Sequence, residues 1–232
     1  MTYFLRSMVL APVLFPQGAW VRRTVPVLPE APGERRGEIG DGPPLSLLVT
    51  GDSAAAGVGA AHQDQALVGR LLASLAPHYR VTWDLQAKSG DKTIDTLARL
   101  EALDARPFDV AVTSLGVNDA IAMTTRRDWR RRQARLRELL RDKFEVSQLI
   151  ISSLPPMHEF PALPQPLRWH IGTRATEFNQ DLMADVAADG EAHFVDLRFT
   201  ADKALMASDG FHPGPGIYAA WAERVAAIVL DD

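Results

Sequence analysis

Ser53 carries a hydroxyl group just after the end of an apolar run of the chain. In LLVTGDSAAAG, residues 47–57, the apolar run stops at Gly51, and Ser53 follows it with only small residues behind. A serine becomes a nucleophile near neutral pH when a neighbouring base takes its proton. We expect the small residues after Ser53 to leave room for an acyl group. Taken alone, Ser53 is more simply a turn or helix N-cap serine, because serine is favoured at caps.

A base for Ser53 must come from the six histidines of the chain. His212 differs from the other five because it lies in SDGFHPGPG, residues 208–216, directly before the last predicted helix. Asp209 precedes it by three residues, and a turn at Gly210 can bring the carboxylate to the imidazole. There the carboxylate would fix the imidazole tautomer and stabilise the imidazolium. An Asp-x-x-His pair by itself also fits a helix-entry cap or half of a metal site.

An acyl-transfer site also needs hydrogen-bond donors for the developing oxyanion, and one good donor contributes roughly 3–4 kcal/mol. The backbone N–H of Ser53 can supply one donor. Gly90, in SGDKT, can supply a second N–H, because a residue without Cβ lets a substrate approach the main chain closely. The side-chain amide of Asn118, in GVND, is a third candidate. Separately, Gly90 also fits a helix-entry turn and Asn118 a helix cap.

These candidates all follow segments with the pattern of buried strands. The predicted strands cover residues 45–51, 79–86, 108–116, 147–154 and 193–197, and the predicted helices cover residues 65–75, 93–103, 126–142, 173–188 and 216–230. This alternation predicts an α/β protein with five parallel strands and helices on both faces of the sheet. Ligands of such sheets bind beyond the carboxyl ends of the strands, where all the candidate residues would lie.

Four segments resemble, in order, the sequence blocks of the SGNH-hydrolase superfamily, also called the GDSL esterases and lipases. They are GDSAAAG, SGDKT, GVND and DGFHP, and the resemblance covers residues 45–232. It implies a flavodoxin-like, three-layer α/β/α sandwich with a five-stranded parallel sheet. It also implies hydrolysis of small-molecule esters with no metal and no other cofactor.

The resemblance also implies a role for each matching residue. Ser53 corresponds to the nucleophile, and Asp209 and His212 correspond to its partners. The N–H groups of Ser53 and Gly90 and the amide of Asn118 correspond to the oxyanion hole. The same residues would serve a lysophospholipase, a thioesterase, a carbohydrate deacetylase or an acyltransferase. A module that binds an acylated ligand without catalysis is the alternative from another class of protein.

The substrate pocket is predicted from the loop SLPPMHEFPALPQPLRWHIG, residues 153–172, which follows the fourth strand. Its prolines should make a stiff wall for an apolar acyl or aryl group, and its apolar members are Met157, Phe160, Leu163 and Trp169. A surface connection packed over the sheet edge is the alternative interpretation. Because we find no long insertion that could act as a lid, we expect short- to medium-chain esters.

Composition limits the other function classes. A chain of 232 residues, 47% hydrophobic and 23% charged, predicts one globular domain with a large core. Its formal charge of −4 gives no overall attraction to nucleic acid, and the absence of cysteine excludes disulfides and cysteine nucleophiles. The basic stretch 126–143 is expected to bury Trp129, Leu136, Leu139 and Leu140 and to leave its arginines on a solvated face. Nothing in the composition indicates the oligomeric state.

Residues 1–44 are predicted as an N-terminal arm and connector, and residues 45–232 as the catalytic domain. Residues 26–44 are rich in proline, glycine and charge, which favours an extended connector. The apolar stretch 8–20 is too short to span a membrane and is poorly formed as a secretory signal. We expect a cytoplasmic protein whose arm packs on the domain surface. The alternative is peripheral membrane contact through four apolar side chains, Phe4, Leu5, Phe15 and Trp20.

Overall fold

Six strands form one sheet in the computed structural model, which describes residues 3–198 and 203–231. The strands are β1 (Arg36–Ile39), β2 (Pro44–Gly51), β3 (Arg80–Ala87), β4 (Val110–Ser114), β5 (Gln148–Ser152) and β6 (Ala192–Val195). Their order across the sheet is β1-β3-β2-β4-β5-β6. β1 runs antiparallel to β3, and the other neighbours all run parallel. The α/β class is therefore confirmed, with the five parallel strands at the places that the sequence predicts.

The sheet has one strand more than the five predicted, because the antiparallel strand β1 joins the five parallel strands. β1 comes from residues 26–44, so part of the predicted connector belongs to the sheet. Its sequence RGEI contains one large apolar residue, and all four side chains are exposed, so no hydrophobic pattern indicates a strand. β1 is instead held by backbone pairing with β3, which places Gly37 opposite Trp83.

Seven helices accompany these strands in the described part of the chain. They are α1 (Tyr3–Thr24), α2 (Leu67–Leu75), α3 (Thr93–Ala102), α4 (Val117–Ile121), α5 (Arg126–Phe144), α6 (Leu167–Asp189) and α7 (Pro215–Asp231). The bounds of α2, α3, α5 and α7 lie within two residues of the prediction. α6 begins six residues earlier than predicted, because the proline-rich composition that indicates a loop ends at Pro166 and the helix starts directly after it.

The helices cover both faces of the sheet. Alternate residues of a strand point to opposite faces. Leu48 and Ile151 pack with α3, α5 and α6 on one face, and Leu47 and Ile150 pack with α2 and α7 on the other. This arrangement is the three-layer α/β/α sandwich that the resemblance implies.

Half of the eight arginines of α5 form ion pairs with aspartates of α6. The predicted buried stripe is confirmed, because Trp129, Leu136, Leu139 and Leu140 are all buried. On the other side of α5, Arg126 Nε lies 2.7 Å from Asp181 Oδ2, and Arg130 Nε lies 3.0 Å from Asp185 Oδ2. Both arginine side chains are about half exposed, so the predicted solvated face also carries ion pairs between two helices.

α1 packs against the start of α6. The ring of Tyr3 stacks on that of His170 with centroids 4.8 Å apart, and Ser7 Oγ lies 3.2 Å from His170 Nε2. Three turns further along α1, the side chain of Gln17 donates a hydrogen bond of 2.6 Å to the carbonyl of Gln165. The two contacts hold α1 on the domain near each of its ends.

Several apolar side chains of α1 are exposed. Phe15 is 71% exposed, and Leu5 and Trp20 are exposed as well. The side chain of Phe4, also named in the predicted membrane contact, lies outside the described part of the structure. Among the described residues, no helix has the length and apolar character needed to cross a membrane. Peripheral contact with a membrane stays a prediction.

Candidate active site

Ser53 lies two residues beyond β2, in a turn fixed by neighbouring elements. The N–H of Asp52 donates to the carbonyl of Ser114 at the end of β4, at 3.1 Å, and the carbonyl of Ser53 accepts from the N–H of Val58 at 3.0 Å. The hydroxyl of Tyr218, on α7, donates to the carbonyl of Val58 at 2.7 Å. Ser53 itself is 8% exposed. The turn therefore holds the hydroxyl in one place.

The small residues after Ser53 pack inward. Ala55 and Ala56 are fully buried in the core formed with α2 and α7. Gly57 has a φ of +83°, and a Cβ at this position would lie 2.8 Å from the Cβ of Ala66. The expectation that small residues leave room for an acyl group is therefore wrong for these three residues, which are small because the chain is closely packed here. Ala54 does line a cavity beside Ser53.

His212 is in hydrogen-bonding contact with Ser53. The distance from His212 Nε2 to Ser53 Oγ is 3.0 Å, and the distance from His212 Nδ1 to Asp209 Oδ2 is 2.5 Å. Because an ionised carboxylate only accepts hydrogen bonds, Nδ1 carries the proton and donates it to Asp209. Nε2 is then free to accept the proton of Ser53. The Ser, His and Asp that the sequence singled out are thus adjacent.

Asp209 is held by the loop that also carries His212. Its Oδ1 accepts the backbone N–H groups of Phe211 and His212, both at 3.0 Å, and Gly210 completes the turn with a φ of +62°. Burial alone would raise the pKa of Asp209, but the hydrogen bonds from His212 and the two backbone N–H groups hold it below its usual value. Asp209 is therefore an ionised, buried partner for the imidazole.

Gly90 and Asn118 follow the two strands that flank β2. The register pairs Gly51 with Ala87 on β3 and with Ser114 on β4. The loops after these three strands therefore begin at the same edge of the sheet. Gly90 lies three residues beyond Ala87, and Asn118 lies four residues beyond Ser114.

Both residues have local geometry suited to donating hydrogen bonds. Gly90 has a φ of +86°, a conformation that favours glycine, and open space lies where a Cβ would stand. Asn118 is in the first turn of α4, and its Nδ2 donates to the carbonyl of Asp91 at 3.0 Å. Because a side-chain amide has two N–H donors, one remains for another acceptor. The bond to Asp91 ties Asn118 to the loop that carries Gly90.

Asp119 is a positioning residue that the sequence reasoning missed. Its fully buried carboxylate accepts the backbone N–H of Thr93 at 2.8 Å and the Thr93 hydroxyl at 2.9 Å, both at the start of α3. It also accepts from Arg132 of α5 at 3.1 Å. These bonds fix α4, and with it Asn118, against two other helices. The only signal in the sequence is that Asp119 is the final residue of GVND.

Asp52 is a second buried carboxyl beside Ser53. Its Oδ1 accepts the N–H of Ala54 at 3.2 Å, whereas Oδ2 has no hydrogen-bond partner among the described residues. Burial raises the pKa of Asp52 to about 7, against smaller opposing effects of the Ala54 N–H and of His212. Asp119 is close enough to add to the rise. Asp52 therefore changes charge near neutral pH.

Asp52→Asn should stabilise the protein more at pH 8 than at pH 5. Because the pKa of Asp52 is higher in the folded state, the folded protein keeps a proton that the unfolded chain has lost between about pH 4 and 7. Stability therefore falls as the pH rises through this range. Asparagine carries no charge at either pH, so we expect its melting temperature to exceed that of the wild type by ~5 °C or more at pH 8 and by less at pH 5. An equal difference at both pH values would contradict this account.

Two cavities border His212 and Phe211. The smaller, of about 50 Å³, also borders Ser53 and is lined by Phe160 among other apolar side chains. The larger, of about 590 Å³, lies between α1 and the ends of the strands and also borders Asp209. Both cavities thus adjoin the same imidazole.

The residues predicted to form the substrate pocket lie in different places. Phe160 lines the smaller cavity and Leu163 lines the larger one. Met157 is fully buried in the core, and Trp169 lies exposed on α6 with the Arg6 guanidinium 5.0 Å from its ring centroid. Neither Met157 nor Trp169 borders either cavity, because the predicted wall is partly core and partly the first turn of α6.

His170 lines the larger cavity. Burial, together with the smaller effects of the nearby Arg6 and Arg174 guanidinium groups, lowers its pKa to about 4. His170 is therefore neutral at physiological pH, which suits its contacts with Tyr3 and Ser7. Within residues 3–198 and 203–231, no three His, Asp or Glu side chains are grouped to hold a metal ion.

The fold is shared with solved structures of GDSL-type proteins. A lipolytic protein of the G-D-S-L family from Veillonella parvula DSM 2008 superposes with a TM-score of 0.63 and 17% identity, covering 80% of this chain and 98% of that chain. The lipase/acylhydrolase from Enterococcus faecalis superposes with a TM-score of 0.60 and 21% identity, covering 80% and 95%. The architecture is thus that of the SGNH hydrolases.

Sequence comparison gives the family. The pattern of the GDSL-like Lipase/Acylhydrolase family matches residues 49–220, and the chain belongs to this family of hydrolases. It is 28% identical over 198 residues to the GDSL-like esterase Rv1075c of Mycobacterium tuberculosis (strain ATCC 25618 / H37Rv), a match that covers 81% of this chain and 62% of that relative. The resemblance stated from the four sequence blocks is confirmed. The helix α1 lies outside the matched residues.

Proposed function

We propose that the protein hydrolyses carboxylic esters through an acyl-enzyme formed on Ser53. The observation that carries this proposal is the continuous chain of contacts from Ser53 Oγ to His212 Nε2, at 3.0 Å, and from His212 Nδ1 to Asp209, at 2.5 Å. In such an arrangement the imidazole takes the serine proton, and the carboxylate stabilises the imidazolium. Membership in a family of lipases and acylhydrolases supports the same reaction class.

The proposed reaction has two matched halves. His212 removes the proton of Ser53 as Oγ bonds to the ester carbonyl carbon, and the carbonyl electrons move to oxygen. The N–H groups of Ser53 and Gly90 and the amide of Asn118 stabilise that oxyanion. The C–O bond then breaks, and His212 gives its proton to the departing alcohol. Water repeats the sequence on the acyl-enzyme, which releases the carboxylic acid and restores Ser53.

Asn118→Ala should lower kcat by about 10²–10³-fold with a smaller change in KM. The lost amide donor would act on charge that develops only in the transition state, so the effect belongs in kcat. The kinetic constants on a p-nitrophenyl ester, together with an unchanged melting temperature, provide the measurement. A loss of less than about fivefold in kcat would remove Asn118 from the proposed oxyanion hole.

A substrate panel tests the proposed function against its alternatives. We would compare p-nitrophenyl esters with a lysophospholipid, an acyl-thioester and an acetylated sugar, since each shares the mechanism and differs in the leaving group. Ester turnover exceeding that of the other three supports the esterase proposal. Transfer of the acyl group to an added alcohol at the expense of hydrolysis would indicate an acyltransferase. No turnover of any substrate would favour a module that binds an acylated ligand.

A further inference from the structure

The cavity of about 590 Å³ lies beside the proposed catalytic residues. Its volume is in the range of small-molecule sites, roughly 300–1,000 Å³, and its lining is mainly apolar. Ser89, next to the proposed oxyanion donor Gly90, lies on its border, as does His212. One end of the cavity therefore lies next to the proposed active site, although Ser53, Gly90 and Asn118 do not themselves line it.

One wall of this cavity is a single face of α1. The residues of α1 that line it include Ser7, Ala11, Leu14, Gly18 and Val21. They recur every three or four positions, as the residues of one helix face do. Three of these five have side chains no larger than that of serine. The other α1 residues that border the cavity have large side chains, and they are Tyr3, Met8, Phe15 and Arg22. A Cβ at Gly18 would meet only the far end of one flexible side chain, at 3.8 Å. Space is therefore left at the small residues of this face.

The opposite wall is formed by α4 with the residues after it and by the region around the start of α6. Its apolar members are Ala120, Ile121, Met123, Leu163, Leu167 and Ile171. Ile121 and Met123 are exposed large apolar side chains. Covering them with an apolar ligand is favourable, because it removes apolar surface from water.

The wall made by α1 is fixed before any ligand arrives. Ser7 contacts His170, and Gln17 binds the carbonyl of Gln165, so α1 is held at two points along the cavity. A preformed wall lowers the cost of ordering the site when the ligand binds. Because the family match begins at residue 49, this wall is a feature of the chain outside the shared region.

We propose that α1 is a wall of an acyl-chain site and that Ala11 and Gly18 set the acyl length that the site accepts. This inference rests on the proposed ester hydrolysis. In that reaction the alcohol leaves after the first step, whereas the acyl group stays bound to Ser53 until water releases it. A cavity with apolar residues on two sides suits the acyl group, because the acyl group stays bound after the first step. The smaller cavity, of about 50 Å³, has room for only one or two water-sized groups.

The geometry sets the expected chain length. From Ser7 to Gly18 the helix rises about 16 Å at 1.5 Å per residue, which accommodates an extended acyl chain of roughly twelve carbons. This length is at the upper end of the short- to medium-chain esters expected from the sequence. That expectation rested on the absence of a long insertion that could act as a lid and did not consider the N-terminal arm as a wall.

A pair of phenylalanine variants tests the inference. Ala11→Phe puts a large ring into the cavity, whereas Val9→Phe puts the same ring on the outer side of α1, where Val9 is 63% exposed and does not line the cavity. We expect wild-type kcat/KM to be higher for p-nitrophenyl dodecanoate than for the acetate. Ala11→Phe should lower the dodecanoate value by about tenfold or more and leave the acetate value within about twofold. Val9→Phe should leave kcat/KM unchanged for both esters.

A second pair keeps the test decisive if Ala11→Phe does not fold. Gly18→Leu fills the cavity from another turn of α1, and Gly18→Ala adds only one methyl group as its control. Equal losses on both esters in the filling variants would overturn the inference, and so would a wild-type preference for acetate. An increase of kcat/KM with the length of the alcohol in a series of alkyl acetates would also overturn the inference. The cavity would then hold the leaving alcohol instead of the acyl group.

Direct binding separates this inference from the proposed function. The affinity of a fluorescent fatty acid can be measured in the wild type and in Ala11→Phe without any turnover. Tight binding that Ala11→Phe weakens, in a protein that hydrolyses no ester, would support the acyl-chain site and reject the proposed chemistry. Ester hydrolysis with fatty-acid binding that is equal in both proteins would support the chemistry and reject the acyl-chain site.

Discussion

Ser53→Ala should abolish ester hydrolysis and leave the fold intact. Removal of Oγ deletes the proposed nucleophile, and we expect kcat/KM to fall by at least about 10⁴-fold. The turn around Ser53 is held by backbone hydrogen bonds, which alanine also makes, so the melting temperature should stay within a few degrees of the wild type. Initial rates on a p-nitrophenyl ester and a thermal melt give both quantities.

Ser114→Ala is the matched control for this variant. Ser114 is a buried serine at the end of the neighbouring strand β4, and it borders the same small cavity as Ser53. The turn uses its carbonyl and not its hydroxyl. We expect Ser114→Ala to keep activity within about tenfold of the wild type. Retention of more than about 1% of the activity in Ser53→Ala would rule out Ser53 as the nucleophile.

Asp209→Asn should lower kcat by about 10⁴-fold near neutral pH. The asparagine Oδ1 can still accept the backbone N–H groups of Phe211 and His212, so the loop should keep its shape. Its Nδ2, however, would donate to His212 Nδ1 and move the imidazole proton to Nε2. That tautomer cannot accept the proton of Ser53. The measurement is kcat at several pH values, beside a thermal melt.

The control for Asp209→Asn is Asp185→Asn. Asp185 forms an ion pair with the exposed Arg130, at the surface between α5 and α6. Water and salt weaken an ion pair of an exposed arginine, so both activity and stability should change little. A loss of less than about tenfold in Asp209→Asn would mean that His212 does not depend on this carboxylate for its tautomer.

The sequence was most informative where a residue follows a strand. Buried parallel strands are continuous apolar runs, so their ends can be located, and the sheet then brings those ends to one edge. This is why Ser53 and His212 could be proposed as neighbours although 159 residues separate them. The four sequence blocks, in the right order, predicted the family, and the family match over residues 49–220 confirmed it.

Other features depend on packing that has no period in the sequence. β1 is polar and exposed, and only its pairing with β3 makes it a strand. The alanines after Ser53 fit either an open or a closely packed turn, and the structure shows the packed one. The face that α1 turns towards the site could not be predicted, because apolar residues lie on both sides of this helix. The roles of Asp52 and Asp119 depend on burial and on distant hydrogen-bond partners.

The most direct test of the central claim is covalent labelling with a fluorophosphonate, followed by mass spectrometry of the modified peptide. The probe reacts with a serine whose proton an adjacent base removes. The account predicts one adduct on Ser53 in the wild type, none in Ser53→Ala, and much slower labelling in Asp209→Asn. Labelling of another residue, or no labelling in a protein that hydrolyses esters, would contradict it.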